Sequence, residues 1–112
     1  MSMIEVESQL TVKKNGRCFL DHKKTELLKE ISLHGSLSGA AKKLKISYQY
    51  AWTMINEMNH AAPSPLVIKQ RGGVNGGGAV ITGYGERILN EYWQIEAQVN
   101  KLIRQINVEI NF

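Results

Sequence analysis

The chain is 112 residues long with 43% apolar residues, enough for a single core and too many for a disordered polymer. No apolar run approaches the roughly 18 residues that span a bilayer, and the start, Ile4-Glu5-Val6-Glu7, is acidic where a signal peptide would be basic. The net charge is +4, but residues 13–71 hold eleven Lys or Arg against four acids, the footprint of a polyanion binder or of a solvated basic face.

In chain order, residues 4–20 read as strands. Ile4, Val6, Leu10 and Val12 alternate with polar residues, interrupted at Ser8, and Asn15-Gly16 suits a tight hairpin turn before a return strand Arg17–Leu20. The lone cysteine, Cys18, allows no intrachain disulfide. It fits a reducing, cytoplasmic setting and reads as a small packed hydrophobe. Asp21 is the expected N-cap of a helix carrying Leu27, Leu28, Ile31 and Leu33, which Gly35 ends in a left-handed cap. Glu26 and Glu30, one turn apart on it, read as a solvated face.

Ser36 or Ser38 opens the next helix, with Ala40, Ala41 and Leu44 as its buried stripe. Ser47 opens a third, with Ala51, Ile55 and Met58 inward and Pro63 and Pro65 beyond its end. Two short helices crossing steeply need a small residue where they touch, which Ala41 supplies, while Leu44 and Ile46 plug the corner. This is a helix-turn-helix over about residues 38–60. Lys45 stands at a turn position that favours glycine, at a cost of roughly 1 kcal/mol, and its charge is available for a phosphate. Trp52, flanked by Tyr48 and Ile55, reads as core packing. Gln49, Tyr50, Thr53 and Asn56 then remain on the outer face, where Gln and Asn suit adenine edges and Thr and Tyr suit phosphates or a thymine methyl; an ordinary wet face is the alternative. Ser47 doubles as cap and phosphate donor.

Residues 66–82 read as two strands around a glycine-rich tip, a wing. Lys69, Arg71, Gly72, Gly73 and Asn75 are its candidate DNA contacts, against a bland flexible turn. A nucleotide loop does not fit: no Lys-Ser or Lys-Thr follows the glycines, and Ile88 stands where Gly83-Tyr84-Gly85 would need its third glycine. His22, His34 and His60 lack metal spacing, and no nucleophile has a base and an orienting partner, so neither enzyme, metal site nor cofactor is expected. Thr82 caps a last helix, about 83–108, in which Ile88, Tyr92, Ile95, Val99, Leu102 and Ile106 form a heptad seam. A helix this long overhangs a small domain, so a second copy is the expected partner, with packing back on its own domain as the alternative. The expected fold is mainly α with a small β wing: one winged helix-turn-helix domain, residues 1–112, with an N-terminal β-hairpin and a long C-terminal dimerisation helix.

The run Leu27-Leu28-Lys29-Glu30-Ile31, Gly35-Ser36, Ile46-Ser47-Tyr48, Ala51-Trp52 and Ile55-Asn56-Glu57-Met58-Asn59 resembles the ModE family of molybdate-responsive regulators, whose DNA-binding domain is a LysR-like winged helix. Leu66-Val67, Arg71-Gly72-Gly73, Gly76-Gly77-Gly78-Ala79-Val80 and Thr82 with Gly85 continue it, so that it covers about residues 8–100. The resemblance implies a transcription regulator of molybdenum transport genes that binds a palindromic operator in double-stranded DNA as a homodimer, with Ser47, Tyr48, Gln49, Tyr50 and the wing on DNA. Two departures stand out. Val74-Asn75 occupies the tip where the family tends to hold a basic residue, and the chain ends at Phe112 without the family's molybdate-binding segment. The expectation is therefore a regulator without its own molybdate domain. The alternative is an interaction module that pairs, through residues 88–106, with a full-length effector-binding partner. No membrane partner is expected.

Overall fold

The structure, a computed structural model, describes residues 4–70 and 78–111. Local sequence signals set the element ends. Asn15 and Gly16, at φ 53° and 77°, make the turn of an antiparallel hairpin between β1 (Val12–Lys14) and β2 (Arg17–Leu20). Asp21 caps α1 (His22–His34) by accepting from the Lys24 N–H, and Gly35 ends it at φ 65°. Ser36 caps α2 (Leu37–Leu44), Ser47 caps α3 (Tyr48–Ala61) and Thr82 caps α4 (Gly83–Glu109), each side-chain oxygen taking a backbone N–H three residues on. Between α3 and α4 runs a second antiparallel hairpin, β3 (Val67–Gln70) with β4 (Gly78–Ile81), in a register from Val67–Ile81 to Gln70–Gly78.

One core joins these elements. Leu27, Leu28 and Ile31 of α1 meet Leu37, Ala40 and Ala41 of α2, Ala51, Ile55 and Met58 of α3, Leu66, Val67 and Ala79 of the second hairpin, and Leu89 and Tyr92 of α4. The two short helices of the helix-turn-helix are joined by a Schellman turn. The Ile46 N–H donates to the Ala41 carbonyl at 3.0 Å and the Lys45 N–H to that of Lys42 at 3.2 Å. Lys45 sits at φ 58°, the left-handed conformation expected of it.

Several expectations change once tertiary structure is considered. Residues 4–11 form no strand. Their alternation is served instead by side chains of α4: the Asn107 amide accepts from the Val6 N–H at 2.7 Å and donates to its carbonyl at 3.1 Å, and the Tyr92 hydroxyl donates to the Leu10 carbonyl at 2.9 Å. Leu33 is 71% exposed, because helical period turns it to the side of α1 opposite the buried Leu27, Leu28 and Ile31. Glu30 is buried rather than solvated, and its carboxylate pairs with the His34 ring at 2.9 Å. Lys24, also buried, reaches the Cys18 carbonyl at 3.2 Å and Glu57 at 3.5 Å, tying β2, α1 and α3 together.

Candidate nucleic-acid interface

The buried residues Ala51, Met54, Ile55 and Met58 define the inner face of α3. Directly opposite, Gln49, Thr53, Asn56 and His60 follow at spacings of four, three and four, and all four are exposed. The first three are expected there from the sequence. His60 is not, because it carries no metal-ligand pattern, although its spacing from Asn56 already puts it on the same row. The Thr53 hydroxyl donates to the Gln49 carbonyl at 3.1 Å, so its proton is taken up within the helix while the residue stays exposed. Ser47 gives its oxygen to the Tyr50 N–H at 3.0 Å, leaving the other first-turn N–H groups and the positive end of the helix dipole at an exposed helix start.

The two tyrosines lie on different flanks of this row. Tyr48 meets Trp52 edge to face, with ring centroids 6.3 Å apart. Tyr50, 42% exposed, lines a hollow together with His22 and Lys23 at the start of α1. Lys45, in the turn, is exposed just ahead of the helix.

Trp52 has a second role beyond packing. The Lys69 ammonium lies 4.9 Å from its ring centroid, a cation–π contact that holds the basic residue of β3 against the flank of α3. The root of the second hairpin is fixed by Asn59. Its amide nitrogen donates to the Val67 carbonyl at 2.8 Å, and its oxygen accepts from the Leu66 N–H at 2.8 Å and the Val67 N–H at 3.3 Å. On the other side of that root the Thr82 hydroxyl donates to the Pro65 carbonyl at 2.7 Å, and its N–H donates to the Leu66 carbonyl at 2.8 Å. A Cβ on Gly85 would collide with that same carbonyl, so α4 starts pressed against the hairpin. The sequence does not announce the clamp by Asn59, since an Asn late in a helix carries no signal of what it holds. Arg71, Gly72, Gly73 and Asn75 lie outside the described residues.

The seam of α4 divides along its length. Tyr92 is buried at 2% exposure in its own domain, and burial raises its phenol pKa above the usual value. The expectation that it faces a partner is corrected on that ground. Ile88, Val99 and Ile106 are half-buried, while Ile95 and Leu102 are 44% and 56% exposed. Among the described residues no group of three or more His, Cys, Asp or Glu could hold a metal, and no helix is long and apolar enough to cross a membrane.

No family model matches the chain. It is 44% identical over 94 residues to the transcriptional regulator ModE of Haemophilus influenzae, which covers 84% of this chain and 37% of that protein. It is 45% identical over 89 residues to the DNA-binding transcriptional dual regulator ModE of Escherichia coli, covering 80% of this chain and 34% of the relative. The molybdenum-pterin-binding protein MopB of Rhodobacter capsulatus is 40% identical over 85 residues, 76% of this chain and 32% of MopB. The chain thus spans about a third of the length of the curated relatives it matches, at their N-terminal part. Among solved structures, a LysR family transcriptional regulator superposes with a TM-score of 0.57 at 18% identity, over 78% of this chain and 28% of that one; the shared feature is the winged-helix fold.

Proposed function

We propose, from its homology to the N-terminal part of the ModE regulators, that this chain is the DNA-binding unit of a transcription regulator and reads duplex DNA with α3. In this reading α3 enters the major groove. Gln49 and Asn56 bond base edges, most naturally adenine N6 and N7, and Thr53 offers its methyl to thymine. Ser47, Tyr48, Tyr50 and Lys45 take phosphates at the start of the helix, and the second hairpin acts as the wing, with Lys69 on the backbone and Arg71, Gly72, Gly73 and Asn75 as further contacts of its tip. The observation that carries the reading is the exposed row Gln49, Thr53 and Asn56 on a capped helix whose flank is locked to a basic hairpin through Trp52, Lys69 and Asn59.

Homodimerisation through α4 completes the proposal. The helix is about 40 Å long, and Ile95 and Leu102, with Val99 and Ile106 beside them, leave an apolar stripe for a second copy. Two recognition helices related by a two-fold axis then match a palindromic site. The test is fluorescence anisotropy on a duplex selected by the protein from a random library, against a scrambled duplex, across a salt series. The selected duplex is expected to bind at least about 1,000-fold more tightly, with a steep salt slope. Equal binding to both duplexes at every salt concentration contradicts the proposal.

A further inference from the structure

The basic charge of the N-terminal hairpin is not used by anything described above. Lys13, Lys14 and Arg17 fall within five residues around the Asn15-Gly16 turn, all exposed, and no acid occurs between Glu7 and Asp21. None of the three enters an ion pair among the described residues, whereas Lys24, Lys29 and Arg87 each do. Lys14 has one loose contact, its ammonium 6.0 Å from the Phe19 ring centroid. The hairpin is firmly rooted all the same, since Phe19 and Leu20 are buried in the core. An exposed cluster of three positive charges with no ion pair among the described residues suits a partner that presents closely spaced anions.

Its position identifies the partner. β2 packs beside α3, and Lys24 bridges the Cys18 carbonyl to Glu57. Glu57 adjoins the outer row of α3 on one flank, while Trp52 and Asn59, which hold β3, lie on the other. The two hairpins therefore bracket the row Gln49, Thr53, Asn56 and His60 from opposite sides. We propose that β1–β2 is a second basic wing, whose Lys13, Lys14 and Arg17 grip the phosphate backbone of the duplex on the side of the groove opposite the β3–β4 wing.

This inference rests on the DNA-binding reading above, and the test separates the two. The wild-type chain, K14Q/R17Q, the charge-conserving K14R/R17K and K101Q/R104Q are titrated onto the selected duplex across a KCl series. Lys101 and Arg104 are exposed on α4, away from its apolar stripe, and their loss matches the change in net charge. Removing one phosphate contact flattens the plot of log Kobs against log salt by about 0.9, so K14Q/R17Q is expected to lose about 1.8 for each protomer bound. K14R/R17K keeps the wild-type slope and K101Q/R104Q changes it little. A K14Q/R17Q slope equal to that of K101Q/R104Q overturns the second wing. If wild type fails to prefer the selected over the scrambled duplex, the DNA-binding reading itself fails. Should K14Q/R17Q melt below wild type, hydroxyl-radical cleavage of the wild-type complex decides. Backbone protection on both sides of the contacted groove supports the inference, and protection on the β3–β4 side alone refutes it.

Discussion

Asn59 makes three hydrogen bonds to the backbone at Leu66 and Val67, and nothing else in the described fold offers those groups a partner of the same shape. Replacing it with Ala leaves two N–H donors and a carbonyl without their side-chain partner at a half-buried junction. The expected loss is about 2 kcal/mol, read from urea denaturation. Lys45 poses the opposite case. Its backbone closes the Schellman turn at φ 58°, a conformation that glycine adopts with less strain, so Lys45→Gly is expected to keep the turn and raise stability by up to about 1 kcal/mol while weakening DNA binding at low salt. Cys18 gives a third test. Burial first, and then the neighbouring Asp21 carboxylate, whose Oδ2 lies 3.5 Å from Sγ, raise the thiol pKa, so less thiolate is present at any given pH. Alkylation at mildly alkaline pH is expected to be slow in the folded protein and to reach the rate of a free thiol in denaturant. Equal rates would contradict the described surroundings of Sγ.

At the scale of elements, what could be read from the sequence was what local chemistry decides. Asp21, Gly35, Ser36, Ser47 and Thr82 set helix ends through their own side chain or φ, and Asn15-Gly16 set its turn in the same way. The outer row of α3 was legible because helical period alone separates it from Ala51, Ile55 and Met58. Segments whose structure depends on a distant partner were not. Residues 4–11 alternate like a strand, yet their backbone is met by Asn107 and Tyr92, about 100 and 80 positions away in the chain, through side chains that no local pattern announces. The bracing of Lys69 by Trp52 and of β3 by Asn59 belongs to the same class. The junction of β3, β4 and α4 is tight enough to test directly. Gly85→Ala would push a methyl into the Leu66 carbonyl and to 2.8 Å from Ile81 Cγ1. It is expected to destabilise by about 2 kcal/mol in thermal melts, where an exposed helical Gly→Ala would stabilise.

For the whole molecule, α4 serves two masters. Its first turns, with Leu89 and Tyr92, complete the core of its own domain, and its later turns carry Ile95 and Leu102 into solvent on a body 57 Å long. Lysines in place of Ile95 and Leu102 are expected to halve the mass seen by light scattering while leaving helical content intact, because neither side chain supports the core. A variant that stays dimeric would place the interface elsewhere. The same variant should bind the selected duplex more weakly, since two linked half-sites gain from effective concentration.

Whether the outer row of α3 reads base sequence is decided by comparing wild type with Q49A/N56A on selected and scrambled duplexes at one salt concentration. Each bidentate pair contributes about 1–3 kcal/mol of discrimination, so the double variant is expected to lose about 30-fold or more on the selected duplex and almost nothing on the scrambled one. Equal losses on both duplexes, or no loss on either, would contradict that reading.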